Sequence, residues 1–276
     1  MELSKKLIVV AGPTAVGKTA HAIELALQYG SPVISADSRQ VYKELGIGVA
    51  KPDAEQLATV QHYFIDHVSI HENYNAGRYA KEARELINEL FLKHDTLVLC
   101  GGTGLYINAL LKGLDPLPDR NDALRAELQT IYEREGLVGL QFRLKHLNAA
   151  KYESMDINNP QRLIRAIEIE QSPRPTEINL PNFAHAFETE YIHLEMPREV
   201  LYDRINTRVD AMLSGGLEAE AKALENLQHL NALQTVGYSE WWPYFRGEVK
   251  RDEVIEKIKQ HTRNYAKRQL TWFRHK

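Results

Sequence analysis

The chain has 276 residues, with 34 Lys plus Arg against 37 Asp plus Glu and a formal charge of -3, a length that accommodates one large or two modest domains. Hydrophobic residues at 43% and charged residues at 26%, with 16 Gly and 11 Pro, exclude a disordered or low-complexity chain. No apolar run approaches the roughly 18 residues of a membrane span, and the single Cys100 excludes an internal disulfide and a Cys-rich zinc cluster. With no secretory apolar region after Met1, a soluble, cytoplasmic protein without a membrane partner is expected.

In chain order, Leu7-Ile8-Val9-Val10-Ala11 is a continuous apolar run of strand length, and Lys18 to Tyr29 follows with apolar residues at helical spacing. Pro32 to Ala36 reads as a second short strand. Asn75 then offers an N-cap for a helix reaching about Lys93, and Thr96 to Cys100 forms a third buried strand. Strands alternating with helices imply a parallel sheet. Asp115-Pro116-Leu117-Pro118-Asp119 reads as a linker, and residues 121 to about 170 are helical in pattern with no strand candidate. Tyr191 to Met196 returns to strand character, and residues 198–213, 216–230 and 253–273 read as helices. The expected organisation is a core of residues 1–114 plus 190–276, interrupted by a helical insertion over 115–189.

Between the first strand and first helix, Gly12-Pro13-Thr14-Ala15-Val16-Gly17-Lys18-Thr19 satisfies G-x-x-x-x-G-K-[ST] in the strand-to-helix context that gives the pattern its meaning. Backbone N–H groups turn inward around a phosphate, the helix N-terminus adds partial positive charge, Lys18 reaches the terminal oxygens and the Thr19 hydroxyl can ligate Mg²⁺. The pattern alone leaves open whether ATP or another diphosphate is held. A nucleoside-triphosphate enzyme normally carries a metal-binding Asp at the end of a neighbouring strand, whereas Thr96 to Cys100 runs into Gly101-Gly102-Thr103. The fold class is therefore α/β, a P-loop NTPase-like parallel sheet flanked by helices, with an inserted all-helical domain.

Asp37-Ser38-Arg39-Gln40-Val41-Tyr42 follows the second strand, whose C-terminal end shares the ligand-gathering edge of a parallel sheet with the loop. Asp37 could ligand Mg²⁺ or accept a proton from an attacking nucleophile, or it could simply cap a turn; Ser38, Arg39 and Gln40 offer groups suited to a base edge. At the other end of the chain, residues 257–276 hold seven Lys or Arg and no acid, leaving the remainder at -10. That asymmetry points to a polyanion-binding arm on an acidic body. Helical spacing there puts Lys259, Arg263, Lys267 and Arg274 on one stripe and Val254, Ile258, Tyr265 and Trp272 on the opposite one. His62, His67 and His71 lack a partner at ligand spacing and read as ordinary surface residues, and Trp241-Trp242 reads as a hydrophobic corner of the core.

Six segments in order, Gly12 to Thr19, Asp37 to Lys43, Ala50-Lys51-Pro52, Gly101 to Tyr106, Asn159 to Ala166 and Ala266 to Arg274, together resemble the tRNA dimethylallyltransferases over nearly the whole chain. The resemblance implies transfer of a dimethylallyl group from dimethylallyl diphosphate to N6 of the adenosine 3′-adjacent to the anticodon, in tRNAs reading codons that begin with U, with Mg²⁺ as cofactor. It implies a catalytic set of Asp37, Lys18, Thr19, Thr103 and Arg208, with Asp37 at the adenine amine and the others on the diphosphate. It further implies tRNA contacts from Asp37, Ser38, Arg39, Gln40, Thr103, Arg125, Gln161, Arg162, Leu163, Ile164, Arg165, Lys267, Arg268, Gln269 and Arg274, in a monomer. Gln234 and Ser239 stand where the family commonly has arginines flanking a Gly-Tyr pair. An adenylate dimethylallyltransferase, a small-molecule kinase and a non-catalytic RNA-binding protein remain as alternatives. The inserted domain and basic C-terminus argue against the first, the missing strand-terminal acid against the second, and Lys18 with Asp37 against the third.

Overall fold

In a computed structural model, residues 5–114, 117–118, 120–173 and 182–274 are described, and they form two compact units, Met1–Gly113 with Pro181–Lys276 and Leu114–Leu180. Parts of the expected linker Asp115 to Asp119 lie outside the described residues.

The first unit is built on five parallel strands in the order β3-β2-β4-β1-β5, comprising β1 (Lys6–Ala11), β2 (Val33–Ser35), β3 (His62–Tyr63), β4 (Thr96–Gly101) and β5 (Glu188–His193). Leu7 to Ala11 and Leu97 to Leu99 are wholly buried, as expected of central strands covered on both faces. Flanking them are α1 (Lys18–Tyr29), α2 (Ala54–Thr59), α3 (Ala76–Leu90), α4 (Gly104–Lys112), and, from the C-terminal half, α8 (Arg198–Ser214), α9 (Leu217–Ala223), α10 (Trp241–Phe245) and α11 (Arg251–Arg274). Asn75 caps α3 through Oδ1, which accepts from the N–H groups of Gly77 and Arg78.

Sheet register explains why distant motifs meet. Val10, Cys100 and Ser35 lie side by side on β1, β4 and β2. Two residues further along three parallel strands come Gly12, Gly102 and Asp37, so the phosphate loop, the glycine turn and the acid emerge at one level of the C-terminal sheet edge. This is the edge at which α/β sheets gather ligands.

The second unit packs α5 (Asp122–Leu147), α6 (Ala149–Ser154) and α7 (Pro160–Gln171) around Leu128, Leu140, Leu144, Leu163, Ile164 and Ile167. Gly136 breaks the helical path of α5 with φ 66° and ψ -156°, a conformation that costs a glycine little.

Two boundaries differ from expectation. The last strand is Glu188–His193 rather than Tyr191 to Met196, so the chain rejoins the core unit before residue 189. β5 is an edge strand whose Glu188 and Glu190 face solvent and pair with Lys6, so it lacks the continuous apolar run of a central strand. The helix expected over 216–230 stops at Ala223 and continues as a short 3-10 turn, Glu225–Leu227.

Candidate active site

The loop Gly12 to Thr19 bends around its own backbone. Gly17 is the N-cap of α1 at φ 107°, and Ala15 also has positive φ, at 66°, an uncommon conformation for a residue with a side chain. Successive turns of this kind gather N–H groups into an anion-binding concavity at the start of a helix. Lys18 donates to the Pro13 carbonyl at 2.7 Å. Burial, opposed by Cys100 and Asp37 and reinforced by the Arg208 charge, lowers its pKa to about 8. Arg208 on α8 reaches to 3.5 Å from the Thr14 hydroxyl, and burial with the neighbouring Arg204 lowers its pKa too. Two cations thus converge on one loop at an energetic cost that an anion would remove.

Opposite them, Asp37 Oδ1 accepts from the N–H groups of Arg39 (2.8 Å) and Gln40 (3.1 Å). The turn-capping reading of Asp37 therefore holds for one oxygen, and it fixes the direction in which Oδ2 is presented. Thr103 joins the same cluster, with its Oγ1 accepting from Ser38 N–H at 3.0 Å and interacting with the Tyr265 hydroxyl. Burial first, then the Asp37 charge, push the Tyr265 hydroxyl up to about 12. Burial likewise pushes the Cys100 thiol up to about 11. Thr19, on the first turn of α1, is half-buried beside Lys18.

The structure brings together Gly12 to Thr19, Asp37, Ser38, Thr103 and Arg208. Arg39 and Gln40 flank this group, but their side chains are engaged elsewhere. Arg39 donates to the carbonyls of Asn231 and Ala232, and Gln40 to those of Val49 and Ala50. Sequence reasoning passed over Tyr265 and Arg204 as site residues. Arg204 sits one helical turn before Arg208, and its spacing of four is the signal that could have marked it.

Several residues expected at an RNA surface are engaged in packing or hydrogen bonds within the protein. Leu163 and Ile164 are core residues of the helical unit, 0% and 3% exposed. Arg125 and Arg165 turn to the fully buried Glu168, which accepts from Arg125 at 2.8 Å on each oxygen, from Arg165 at 2.5 Å and from the Asn121 N–H at 2.7 Å. Burial raises the Glu168 pKa, but these donors outweigh it and hold the carboxylate at about 2. Both arginines are structural ligands of a buried acid. On α11, Lys259 pairs with Asp210 at 2.7 Å and Arg263 donates to Asn206 at 2.7 Å, so these two members of the basic stripe pack against α8. The buried stripe is Val254, Ile258, Ala266 and Gln269, with Trp272 partly exposed. Gln269 is only 5% exposed and faces the phosphate loop. Gln161, Arg162, Lys267, Arg268 and Arg274 are exposed. Gln234 donates to the Gln228 carbonyl and Ser239 to that of Thr235, so both serve local turns. Trp241 and Trp242 are buried.

Among the described residues no group of three His, Cys, Asp or Glu stands at metal-binding spacing, and no helix is long and apolar enough to cross a membrane. The fold and the loop define a parallel α/β protein of P-loop NTPase-like architecture carrying a helical unit.

Residues 40–276 match the IPP transferase family. The chain is 47% identical to the tRNA dimethylallyltransferase of Cytophaga hutchinsonii, covering 98% of this chain and 90% of the relative, and 44% identical to that of Flavobacterium johnsoniae at the same coverages. The fold resembles the solved tRNA isopentenylpyrophosphate transferase of Bacillus halodurans, with TM-score 0.72, 37% identity, and coverage of 99% of this chain and 88% of that one. It also resembles a eukaryotic dimethylallyltransferase acting on tRNA, with TM-score 0.73, 27% identity, and coverage of 98% and 70%. The chain belongs to the tRNA dimethylallyltransferase family of IPP transferases.

Proposed function

We propose that this enzyme transfers the dimethylallyl group of dimethylallyl diphosphate to N6 of the adenosine 3′-adjacent to the anticodon, in tRNAs reading codons that begin with U. The products are N6-dimethylallyladenosine and diphosphate. One observation carries the reading: Lys18 and Arg208 gather over the loop, with no carboxylate bonded to either among the described residues, while the Asp37 carboxylate stands at the same sheet edge. That arrangement suits a reaction in which a diphosphate departs and a weak nucleophile gives up a proton.

The allylic C–O bond breaks as the N6–C bond forms, the electron pair leaves with diphosphate, and the N6 proton passes to Asp37 Oδ2. Lys18, Arg208 and the loop N–H groups offset charge that grows on the leaving oxygens, an interaction stronger in the transition state than in the ground state. Thr103 and Thr19 add hydroxyl donors. The exocyclic amine is a poor nucleophile, so its orientation by Asp37 matters as much as proton removal. A base stacked in an anticodon loop cannot reach this site, and extruding it costs a few kcal/mol; exposed Arg162, Gln161, Lys267, Arg268 and Arg274 supply the phosphate contacts that offset the cost.

The Thr19 hydroxyl, with Asp37 at the same sheet edge, would hold Mg²⁺, a hard cation suited to oxygen donors. When bound it would supply further neutralisation of the diphosphate. The reading includes a monomer working in the cytoplasm.

The test is incubation with Mg²⁺, labelled dimethylallyl diphosphate and unmodified tRNA, with AMP in a parallel tube, followed by nuclease mapping. Label on the adenosine beside the anticodon is the expected outcome. Label on AMP alone, or on no acceptor, overturns the proposal.

A further inference from the structure

Gln269 sits near the end of α11, 255 residues from the phosphate loop, yet its side-chain carbonyl accepts from the Thr14 N–H at 2.8 Å. Its amide nitrogen donates to the Gly102 carbonyl at 2.9 Å. One end must accept and the other must donate, a requirement that an uncharged amide meets and that neither a carboxylate nor an aliphatic chain can. The side chain is 5% exposed, so neither bond is exchanged for water without opening the loop.

These two partners form the walls on either side of Lys18. Its ammonium is bonded to the carbonyl of Pro13, the residue before Thr14. A Cβ placed on Gly102 would lie 2.2 Å from Gln269 Nε2 and 3.5 Å from Lys18 Nζ. The glycine there makes room for the amide and the ammonium together. Below the loop, Ala266 and Leu270 of the same helix pack with Ala15, Val16, Leu201 and Ile205, so α11 supports the loop from its apolar side while Gln269 fixes its polar rim.

We infer that Gln269 is a positioning residue for the diphosphate: its amide ties the phosphate loop to the end of β4 and so sets the gap in which the Lys18 ammonium meets the leaving group. This rests on the reading of the loop as a diphosphate site, and it assigns Gln269 to the loop side of α11 rather than to the RNA. The Lys18 ammonium carries three donors, so it can keep its bond to the Pro13 carbonyl and turn the others to an anion; with Thr14 held by Gln269, that carbonyl stays in place and the loop keeps its shape.

The test uses Gln269→Met, which fills the same volume without hydrogen bonds, and Gln269→Glu, which keeps the acceptor but loses the donor. Binding of inorganic diphosphate by calorimetry is expected to weaken at least tenfold in each. The KM for dimethylallyl diphosphate should rise by a similar factor, while the KM for tRNA stays within twofold of wild type. The Thr14 amide should exchange with solvent at least tenfold faster in Gln269→Met, with α1 amides unchanged. Unchanged diphosphate affinity in both variants overturns the inference. So does a raised KM for tRNA with the diphosphate KM intact, which would make Gln269 an RNA contact. Diphosphate binding by wild-type protein is read without any acceptor, so a failure of prenyl transfer to tRNA would leave this measurement interpretable.

Discussion

Charged side chains are drawn out of water in both units, fully at Glu168 and partly at Lys18 and Arg208, and they are treated in opposite ways. In the helical unit Glu168 is enclosed with four donor hydrogen bonds, and its charged form is favoured to the point that its pKa falls to about 2. In the core unit Lys18 and Arg208 share a loop in which the nearest bonded atoms are a carbonyl and a hydroxyl, and their charged forms are disfavoured. The first arrangement is complete and holds a fold together. The second leaves its cations without a counter-charge bonded to them among the described residues, and that difference separates a structural ion cluster from a candidate active site more sharply than burial does.

The largest effects should come from the incomplete site. Asp37→Ala is expected to lower kcat about 10³-fold, with the affinity for dimethylallyl diphosphate retained, as read by single-turnover kinetics and calorimetry. Unchanged kcat would remove Asp37 from the chemistry and leave it as the cap of its turn. Lys18→Met should cost about 10²–10³ in kcat/KM, comparable to losing one donor at a developing charge. It should also leave the ligand-free protein equally stable or more stable in urea, since removing a cation that burial disfavours relieves the fold. A large loss of stability in Lys18→Met would show that the ammonium braces the loop instead of waiting for a ligand.

In the complete cluster the signs reverse. Glu168→Gln is expected to destabilise the helical unit by about 3 kcal/mol, because Arg125 and Arg165 would keep their charges without the carboxylate. Far-ultraviolet circular dichroism in urea would show it, as an early transition separate from that of the core. Activity at low temperature should survive. A stability change below about 0.5 kcal/mol would mean that the ion cluster behaves as a surface one.

Acid and base should act on the two units in separate windows. The Glu168 pKa is depressed in the folded state, so its contribution is fully present above the ordinary carboxylate range near 4.5 and is lost as pH falls toward about 2. The Lys18 pKa is depressed also, but for a cation the consequence is opposite: the ligand-free fold gains stability from this group as pH rises from about 8 toward its ordinary 10.5. Binding runs the other way, because diphosphate requires the ammonium. The kcat/KM for dimethylallyl diphosphate should therefore fall above about pH 8, and Lys18→Arg should push that limb beyond the measurable range at reduced activity. A limb that stays at the same pH in Lys18→Arg belongs to another group.

Much of the core unit was legible. Leu7 to Ala11, the loop and Lys18 to Tyr29 announce strand, turn and helix through three different patterns that agree, and agreement of that kind is what specifies a structure. The position of Asp37 followed from parallel-sheet logic, although that logic could not say that one oxygen would be committed to its own turn. β5 was misplaced because edge strands need no apolar run. The arginines were harder. Arg125, Arg162 and Arg165 look alike in a motif, and only the buried acid that two of them serve tells them apart. Its signal was present, since Glu168 interrupts Ala166, Ile167 and Ile169 on the apolar side of α7. A charge at such a position asks for partners, and an arginine three residues away answers. Gln269 carried the same kind of signal, one turn beyond buried Ala266.

The smallest effect expected is also the cleanest probe of that distinction. Arg162 is exposed, and its ion pair with Asp156 at 3.4 Å is of the solvent-screened kind that contributes little stability. Arg162→Ala should therefore leave the urea transition of the helical unit unmoved, in contrast to Glu168→Gln. If Arg162 meets a phosphate of the anticodon stem-loop, its loss should raise the KM for tRNA a few-fold, leave kcat and the KM for dimethylallyl diphosphate unchanged, and reduce the slope of log affinity against log salt by about one. Arg165→Ala, three residues along the same helix, should show the reverse: lower stability of the helical unit, with any effect on the KM for tRNA following that loss as temperature is raised. Identical behaviour of the two variants would mean that the helix presents one continuous basic face, and that pairing with the buried glutamate does not take Arg165 out of RNA recognition.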